Sequence, residues 1–247
     1  MIVRDRGGAW QIVLQPDHAD LSGQFADAWA EPGAGFESLR VATRRHDDGW
    51  AVWERAPMID LETRRPLNFL DVQVPAHLAF YRACIAAVTE DDPYAGLLVS
   101  MHGAGIYRQR YGRDPALVLT HAGEVADEVE AFVEEQEARY PERLGALGVA
   151  EEERWANYEL LQLFDRLSLY FCMRDVEGGE AAALQGYELE PVEPWRVRME
   201  PFPFRESPAR FTLVRRVLAP RDWAQEEFRQ EFFALEPERT EITIEGR

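Results

Sequence analysis

The sequence predicts a mainly α-helical protein, a helical bundle with a small β-rich addition at its two ends, so that the class is α+β overall. Two observations predict this fold. Apolar residues recur at helical spacing through about residues 15–175, and apolar residues alternate with polar ones in short stretches before residue 15 and after Gly178-Gly179. We therefore expect a helical domain with an N-terminal strand at residues 1–178 and a β-rich addition packed on it at 179–247.

The first half of the chain begins with one or two predicted short strands within residues 1–14. Pro16 fits the first turn of a helix that runs to about Trp29, before the breaker Glu31-Pro32-Gly33. A second helix, about 36–45, ends at His46-Asp47. Residues 54–74 are predicted to be mostly loop, because Pro57 and Pro66 lie within them and Pro75 follows directly.

The second half contains further predicted helices at about 75–89, 93–108, 122–138 and 151–173. The last of these opens on Glu151-Glu152-Glu153, where acidic side chains favour the positive end of the helix dipole. Residues 195–199, 210–218 and 240–245 alternate in period two and are rich in Val, Ile, Thr, Phe and Arg, so they are predicted strands.

Charge and composition exclude several functions. The chain has 45 acidic and 27 basic residues, a net charge of −18, which disfavours binding to nucleic acid or an anionic membrane. Every basic residue is an arginine, so a Schiff-base lysine, a P-loop lysine and a lysine general base are excluded. A small phosphorylated substrate remains compatible with this charge, because a bound metal reverses the local sign. The sequence leaves the oligomeric state open.

Cysteine usage and the N-terminal segment favour a cytoplasmic protein. Cys84 and Cys172 are too few for a disulfide framework and are predicted to be reduced core thiols. The N-terminal residues lack the apolar run of a signal peptide, and no apolar stretch is long enough to span a membrane.

One ordered pattern of histidines and aspartates predicts a metal centre. Imidazole nitrogens and carboxylate oxygens are the ligand atoms of divalent transition metals. Six such residues could hold one or two ions, with Asp47 between them, namely His18, His46, Asp47, His77, His102 and Asp165. His121 falls outside the pattern and is predicted to be a surface or capping residue.

The expected helical faces strengthen this interpretation. Residues three or four positions from Asp165 are mostly apolar or amphipathic, so its carboxylate should point into the core, where an unpaired charge is expensive. His77 and His102 share their faces with apolar residues too. The alternatives stay open at this point: hydrogen-bonded core histidines, and a salt bridge from Asp165 to a buried arginine such as Arg44 or Arg45.

The order His, His-Asp, Asp resembles the HD-domain superfamily of helical metalloproteins, over about residues 15–175. His18, His46, Asp47 and Asp165 match its core signature, and His77 and His102 match the two histidines that members with a second metal add. The chain is also similar to an uncharacterised bacterial family through the stretches HDDGW (46–50) and LLVSMHGAGIY (97–107).

The superfamily resemblance implies a metal-dependent phosphohydrolase acting on a small phosphate ester or nucleotide, or, as an alternative, a di-iron oxygenase of a small hydroxylated substrate. Histidine and carboxylate ligands suit Fe, Mn, Zn or Ni and do not choose among them. A third hypothesis, independent of the resemblance, is a non-enzymatic protein with a residual metal site.

Asp48 is a candidate general base or a partner of a metal ligand, with a turn or helix cap as the alternative. Because no lysine is present, the candidate residues for binding a phosphate or carboxylate group are arginines: Arg45, Arg44, Arg108 and Arg110. The alternative is that these four arginines are ordinary residues of helix surfaces. Trp50, Trp53 and Tyr107 are candidates for an aromatic wall or for core packing.

Overall fold

The computed structural model describes residues 1–112 and 124–247. Its helices agree closely with the predicted ones, with two additional short helices and one further helix near the C-terminus. Their bounds are α1 Gln15–Ala28, α2 Phe36–Arg45, α3 Ala51–Glu54, α4 Val74–Asp91, α5 Pro93–Tyr107, α6 Glu124–Glu137, α7 Tyr140–Leu147, α8 Glu151–Met173 and α9 Gln225–Ala234.

Local sequence accounts for several of these helix ends. Proline occupies the first turn of α1, α4, α5 and α7, where its missing N–H costs no hydrogen bond. Asp92 caps α5, because its carboxylate accepts hydrogen bonds from the backbone N–H groups of Tyr94 and Ala95. Gly148 ends α7 with a φ of 66°, a left-handed conformation that glycine adopts without strain.

The strands form one seven-stranded sheet in the order β1-β2-β6-β7-β5-β4-β3. Their bounds are β1 Ile2–Asp5, β2 Trp10–Val13, β3 Ala182–Leu184, β4 Tyr187–Glu193, β5 Arg196–Glu200, β6 Ala209–Leu218 and β7 Glu238–Glu245. All neighbours are antiparallel except β5 and β7, which are parallel. The N-terminal hairpin joins the C-terminal strands through the pairing of Ile12 with Arg216.

The prediction of a mainly α-helical fold with a small β addition is therefore wrong. The protein is α+β with a large sheet, to which both ends of the chain contribute strands. The strands β5, β6 and β7 were predicted individually, but β3 and β4 were not. Local periodicity carries no signal for pairing between residues two hundred positions apart, so it could not predict that these segments form a single sheet.

One hydrophobic core joins the helices to the sheet. On the sheet side of α1, Phe25 packs edge-on against Phe211 of β6, with ring centroids 4.6 Å apart. This core includes buried residues from both sides of position 178, such as Phe164 and Leu213. The predicted boundary between domains at 178/179 stays a prediction. No helix in the described ranges is long and apolar enough to cross a membrane.

Candidate metal centre

Four helices bring five of the six predicted ligands together in the core. His18 lies on α1, His46 directly follows α2, and Asp47 is the next residue. His102 lies on α5 and Asp165 on α8. All five are almost fully buried, with exposed fractions between 0% and 4%. The inward orientation predicted for Asp165 from its helical face is what the structure shows.

Glycines allow the helices to approach this closely. A Cβ atom on Gly49, in the turn after Asp47, would lie 2.1 Å from the backbone oxygen of Phe80 on α4. A Cβ atom on Gly103 would lie 2.9 Å from the ring of Tyr81, also on α4. One glycine in each distinctive stretch, Gly49 in 46–50 and Gly103 in 97–107, therefore allows α4 to lie close to the cluster.

The ligand atoms fall into two overlapping groups within 4.8 Å of one another: His18, His46 and Asp165, and His46, Asp47 and His102. In the first group, Nε2 of His18 lies 3.1 Å from Oδ1 of Asp165. His46 belongs to both groups, since its Nε2 lies 3.5 Å from Asp47 Oδ2 and 3.6 Å from Asp165 Oδ1.

The imidazole of His46 is oriented by the backbone. Its Nδ1 lies 2.7 Å from the carbonyl oxygen of Thr43, which can only accept, so Nδ1 carries a proton. Nε2 is buried and makes no hydrogen bond to any described residue. It faces two carboxylates at distances that are too long for hydrogen bonds. A proton on Nε2, or a cation bound between the ring and the carboxylates, would satisfy both sides of this contact.

The charges of the cluster depend strongly on each other. Burial opposes protonation of His46, but the Asp47 and Asp165 carboxylates outweigh it and raise its pKa to about 9. Burial, together with the charge of His46, holds the pKa of His102 well below its usual range. Burial alone would raise the pKa of Asp165, yet the guanidinium of Arg110 and its histidine neighbours hold this pKa well below the usual value.

Arg110 is the buried charge partner of Asp165. Its Nη1 lies 2.9 Å from Asp165 Oδ2, and it donates a hydrogen bond to Gln162 Oε1. Three consecutive non-glycine residues, Gln109 to Tyr111, have left-handed backbone conformations with φ near 50°. Such residues cost about 1 kcal/mol or more each and are enriched at functional sites. The sequence allowed a buried arginine partner for Asp165, but the structure selects Arg110 rather than Arg44 or Arg45.

Side chains outside the cluster hold its histidines. Ser168 Oγ lies 2.6 Å from His18 Nδ1, and Gln162 Nε2 lies 3.2 Å from His102 Nδ1. Metal-binding histidines commonly have such a partner on their second nitrogen. The side-chain oxygen of Gln162 accepts from Arg110, so its NH₂ group donates to Nδ1 of His102. A neutral imidazole that accepts at Nδ1 carries its proton on Nε2. The amide would therefore have to turn before Nε2 of His102 could bind a metal.

Tyr81 connects the cluster to the half-buried His77. The Tyr81 hydroxyl donates to Asp47 Oδ1 at 3.0 Å and lies 3.4 Å from His102 Nε2. His77 belongs to neither group of ligand atoms; its Nδ1 shares a hydrogen bond with the hydroxyl of Tyr107. The predicted ligand role of His77 stays a prediction. Its imidazole also lies against Trp50, at 5.2 Å between ring centroids, so two of the three predicted aromatic residues, Trp50 and Tyr107, contact His77, whereas Trp53 packs on Trp50.

The two predicted catalytic residues lie at the edge of this region. Arg45 Nε donates to Asp48 Oδ2 at 2.8 Å, and Arg45 also pairs with Asp91 at 2.6 Å. Both side chains are partly exposed, by 28% and 39%. Their catalytic roles stay predictions.

Two other candidate arginines form surface ion pairs. Arg44 pairs with Asp20 and Asp27, and Arg108 with Glu130 and Glu137. His121 lies outside the described residues. Of the four candidate arginines, Arg110 is the one whose ion pair is with a residue of the cluster, Asp165.

Three residues that support the cluster are not among the predicted site residues: Tyr81, Gln162 and Ser168. Gln162 and Ser168 are three positions before and after Asp165, so they share its helical face. Tyr81 follows His77 by four positions on α4. Their spacing is a signal in the sequence, because polar residues on the same helical face as a metal ligand often support that ligand by hydrogen bonds.

The resemblance to the HD-domain superfamily is not supported. The matching family model carries no HD assignment, and the seven-stranded sheet does not fit a helical HD domain. No curated protein and no solved structure matches the chain. The family described as protein of unknown function (DUF3891) matches residues 1–219, and the chain therefore belongs to this family.

Proposed function

We propose that the buried cluster binds a divalent transition metal ion and that the protein uses it to hydrolyse a small phosphate ester. The observation that carries this proposal is the orientation of His46. Its Nε2 is buried, faces the carboxylates of Asp47 and Asp165, and makes no hydrogen bond to a described residue. Buried polar atoms of proteins usually have a hydrogen-bond partner, so a ligand at this position would be favourable.

The donor set fits such an ion. His18, His46 and Asp165 would hold it, and Asp47 would be a fourth ligand or a bridge to a second ion near His102. Two imidazoles with carboxylates suit Fe, Mn, Zn or Ni and do not choose among them. Ser168 and the Thr43 carbonyl fix the outer nitrogens of the two histidines, as in many metal sites.

Arg110 supports phosphate as the substrate group. It is the buried cation beside the cluster, and a guanidinium can bind two phosphate oxygens at once. In the reaction, the oxygen of water would form a bond to phosphorus and the ester P–O bond would break. The alcohol would leave with a proton. A bound metal would supply an acidified water and polarise the phosphoryl oxygen.

We place the approach of substrate on the side of His77. His77 and Tyr107 are half-buried and connect through Tyr81 to Asp47. A small-molecule substrate and the cytoplasmic location predicted from the sequence are part of this proposal.

The test is hydrolysis of a panel of phosphate esters by the chain loaded in turn with Fe, Mn, Zn and Ni. We expect activity that is abolished by a chelator and by His46→Gln, and that is retained by Arg210→Gln, which changes a surface ion pair with Glu241. Absence of hydrolysis with every metal, while bound metal is measured in the same samples, would overturn the hydrolase proposal.

One observation favours a second candidate, a structural metal ion. The five clustered ligands are at most 4% exposed, and the buried Arg110 already pairs with Asp165. Structural metal sites are closed and contribute directly to folding stability. This candidate predicts strong thermal stabilisation by the metal in the same samples that show no hydrolysis.

A further inference from the structure

We propose a second binding site, distinct from the metal cluster, for a phosphate group. It is a surface cavity of about 300 Å³ between α4, α6 and the start of α7. Arginines from three parts of the chain line it: Arg82 of α4, Arg139 just before α7, and Arg143 of α7. This inference does not depend on the proposed hydrolase activity.

The charge of this cavity is opposite to that of the protein as a whole. The chain carries a net charge of −18, whereas the lining contains three guanidinium groups and a single carboxylate, that of Glu135. The positive charges of the three arginines repel one another, and binding of an anion would reduce this repulsion. The excess of two positive charges matches the charge of a phosphate dianion.

Glu135 organises the arginines and leaves one of them unpaired. Its carboxylate accepts from Arg82 at 3.0 Å and forms an ion pair with Arg139 at 3.2 Å. Arg143 has no ion pair in the described ranges, and its Nη1 is buried there with no hydrogen-bond partner. A buried donor without a partner is costly, so a ligand acceptor at this position would be favourable.

The cavity also offers an oriented neutral donor. Gln136 is 2% exposed, and its Oε1 accepts a hydrogen bond from Ser100 Oγ at 3.0 Å. This contact holds the amide and leaves its NH₂ group for a ligand. Guanidinium groups and an amide NH₂ are all donors, as the oxygens of a phosphate require. The shared chemistry is the phosphate group, whether as the free ion or as a monoester.

Calorimetric titration of the EDTA-treated full chain tests this proposal, because EDTA removes any metal that could bind phosphate at the cluster and the variants below distinguish the cavity from Arg110. One arm uses inorganic phosphate and the other phenyl phosphate, both at constant ionic strength. We expect one saturable site per chain for at least one probe, and the tighter arm identifies the form bound. Arg143→Gln should weaken binding about tenfold, as expected from losing one charge-assisted hydrogen bond.

The variants decide where the anion binds. Arg139→Gln with Arg143→Gln should abolish saturable binding, whereas Arg210→Gln, an exposed arginine paired with Glu241, should leave it unchanged. Circular dichroism verifies that each variant is folded. No saturable binding of either probe, or equal binding by the double variant, would overturn the proposal. Hydrolase activity plays no part in this readout, so the two proposals fail independently.

Discussion

Arg110 and Asp165 form a buried ion pair, with Nη1 and Oδ2 2.9 Å apart and side chains only 6% and 3% exposed. The other carboxylate oxygen of Asp165 lies 3.1 Å from His18 Nε2. Asp165 therefore links the buried guanidinium of Arg110 to the histidines of the candidate metal centre. A metal bound there would share Asp165 with Arg110.

Replacing Arg110 should destabilise the metal-free protein. Arg110→Gln leaves the buried carboxylate of Asp165 without its main charge partner, which costs about 3 kcal/mol in the free energy of unfolding. Urea denaturation in EDTA measures this loss. Arg210→Gln, which removes an exposed ion pair, should change stability by less than about 1 kcal/mol. Adding metal should reduce the cost of Arg110→Gln, and an undiminished cost in protein with bound metal would contradict a shared Asp165.

Metal uptake should depend on pH. Burial opposes protonation of His46, but Asp47 and Asp165 raise its pKa to about 9 in the metal-free protein. Because a metal binds only neutral imidazole, each ion must displace this proton below pH 9. The apparent affinity should therefore rise about tenfold per pH unit from pH 7 to 9 and then level off. Competition with a chelator of known proton affinity measures it, and a flat profile would contradict the role of His46.

Tyr81 should influence the metal without binding it. Its hydroxyl donates to Asp47, so Tyr81→Phe leaves this carboxylate less firmly oriented. Loss of such a supporting hydrogen bond lowers metal affinity by about tenfold or more. Tyr170→Phe is the matched control, because that hydroxyl bonds the backbone oxygen of Glu180, away from the cluster. Equal metal affinities of the two variants would argue against the positioning role.

Gly49 should tolerate no side chain. A Cβ atom there would lie 2.1 Å from the Phe80 backbone oxygen, so Gly49→Ala must push α4 away from His46-Asp47. We expect a loss of about 1–3 kcal/mol in stability, the usual cost of overpacking. Gly33→Ala serves as the control, since nothing lies within 4 Å of its Cβ position. Thermal unfolding of both variants measures the difference, and similar midpoints would contradict the close approach.

The clustering of the site was predictable from the sequence to an unusual extent. Helical spacing placed Asp165, His102 and His18 on inward faces, and the helix ends at His46 as predicted. Each of these conclusions needs only local periodicity and the cost of burying a charge. His77 has the same kind of face, yet it is half-buried one layer outside the cluster, because an apolar face does not specify depth.

The partner of Asp165 and the seven-stranded sheet could not be predicted in this way, because they depend on contacts between distant parts of the chain. Arg110, the ion-pair partner of Asp165, lies in a segment with left-handed backbone conformation, which helical periodicity cannot predict. The sheet arose from pairing of the first strands with β6, across two hundred residues. The order of histidines and aspartates resembled one superfamily, but a short ligand pattern does not specify a fold.

The most direct test of the central claim is the metal content of the purified chain. After incubation with Fe, Mn, Zn or Ni and removal of free ions, elemental analysis should find one or two ions per chain for at least one metal. His46→Gln and Asp165→Asn should lose them, whereas Arg210→Gln should retain them. Less than about 0.1 ion per chain for every metal, or equal retention by His46→Gln, would contradict a metal centre at this cluster.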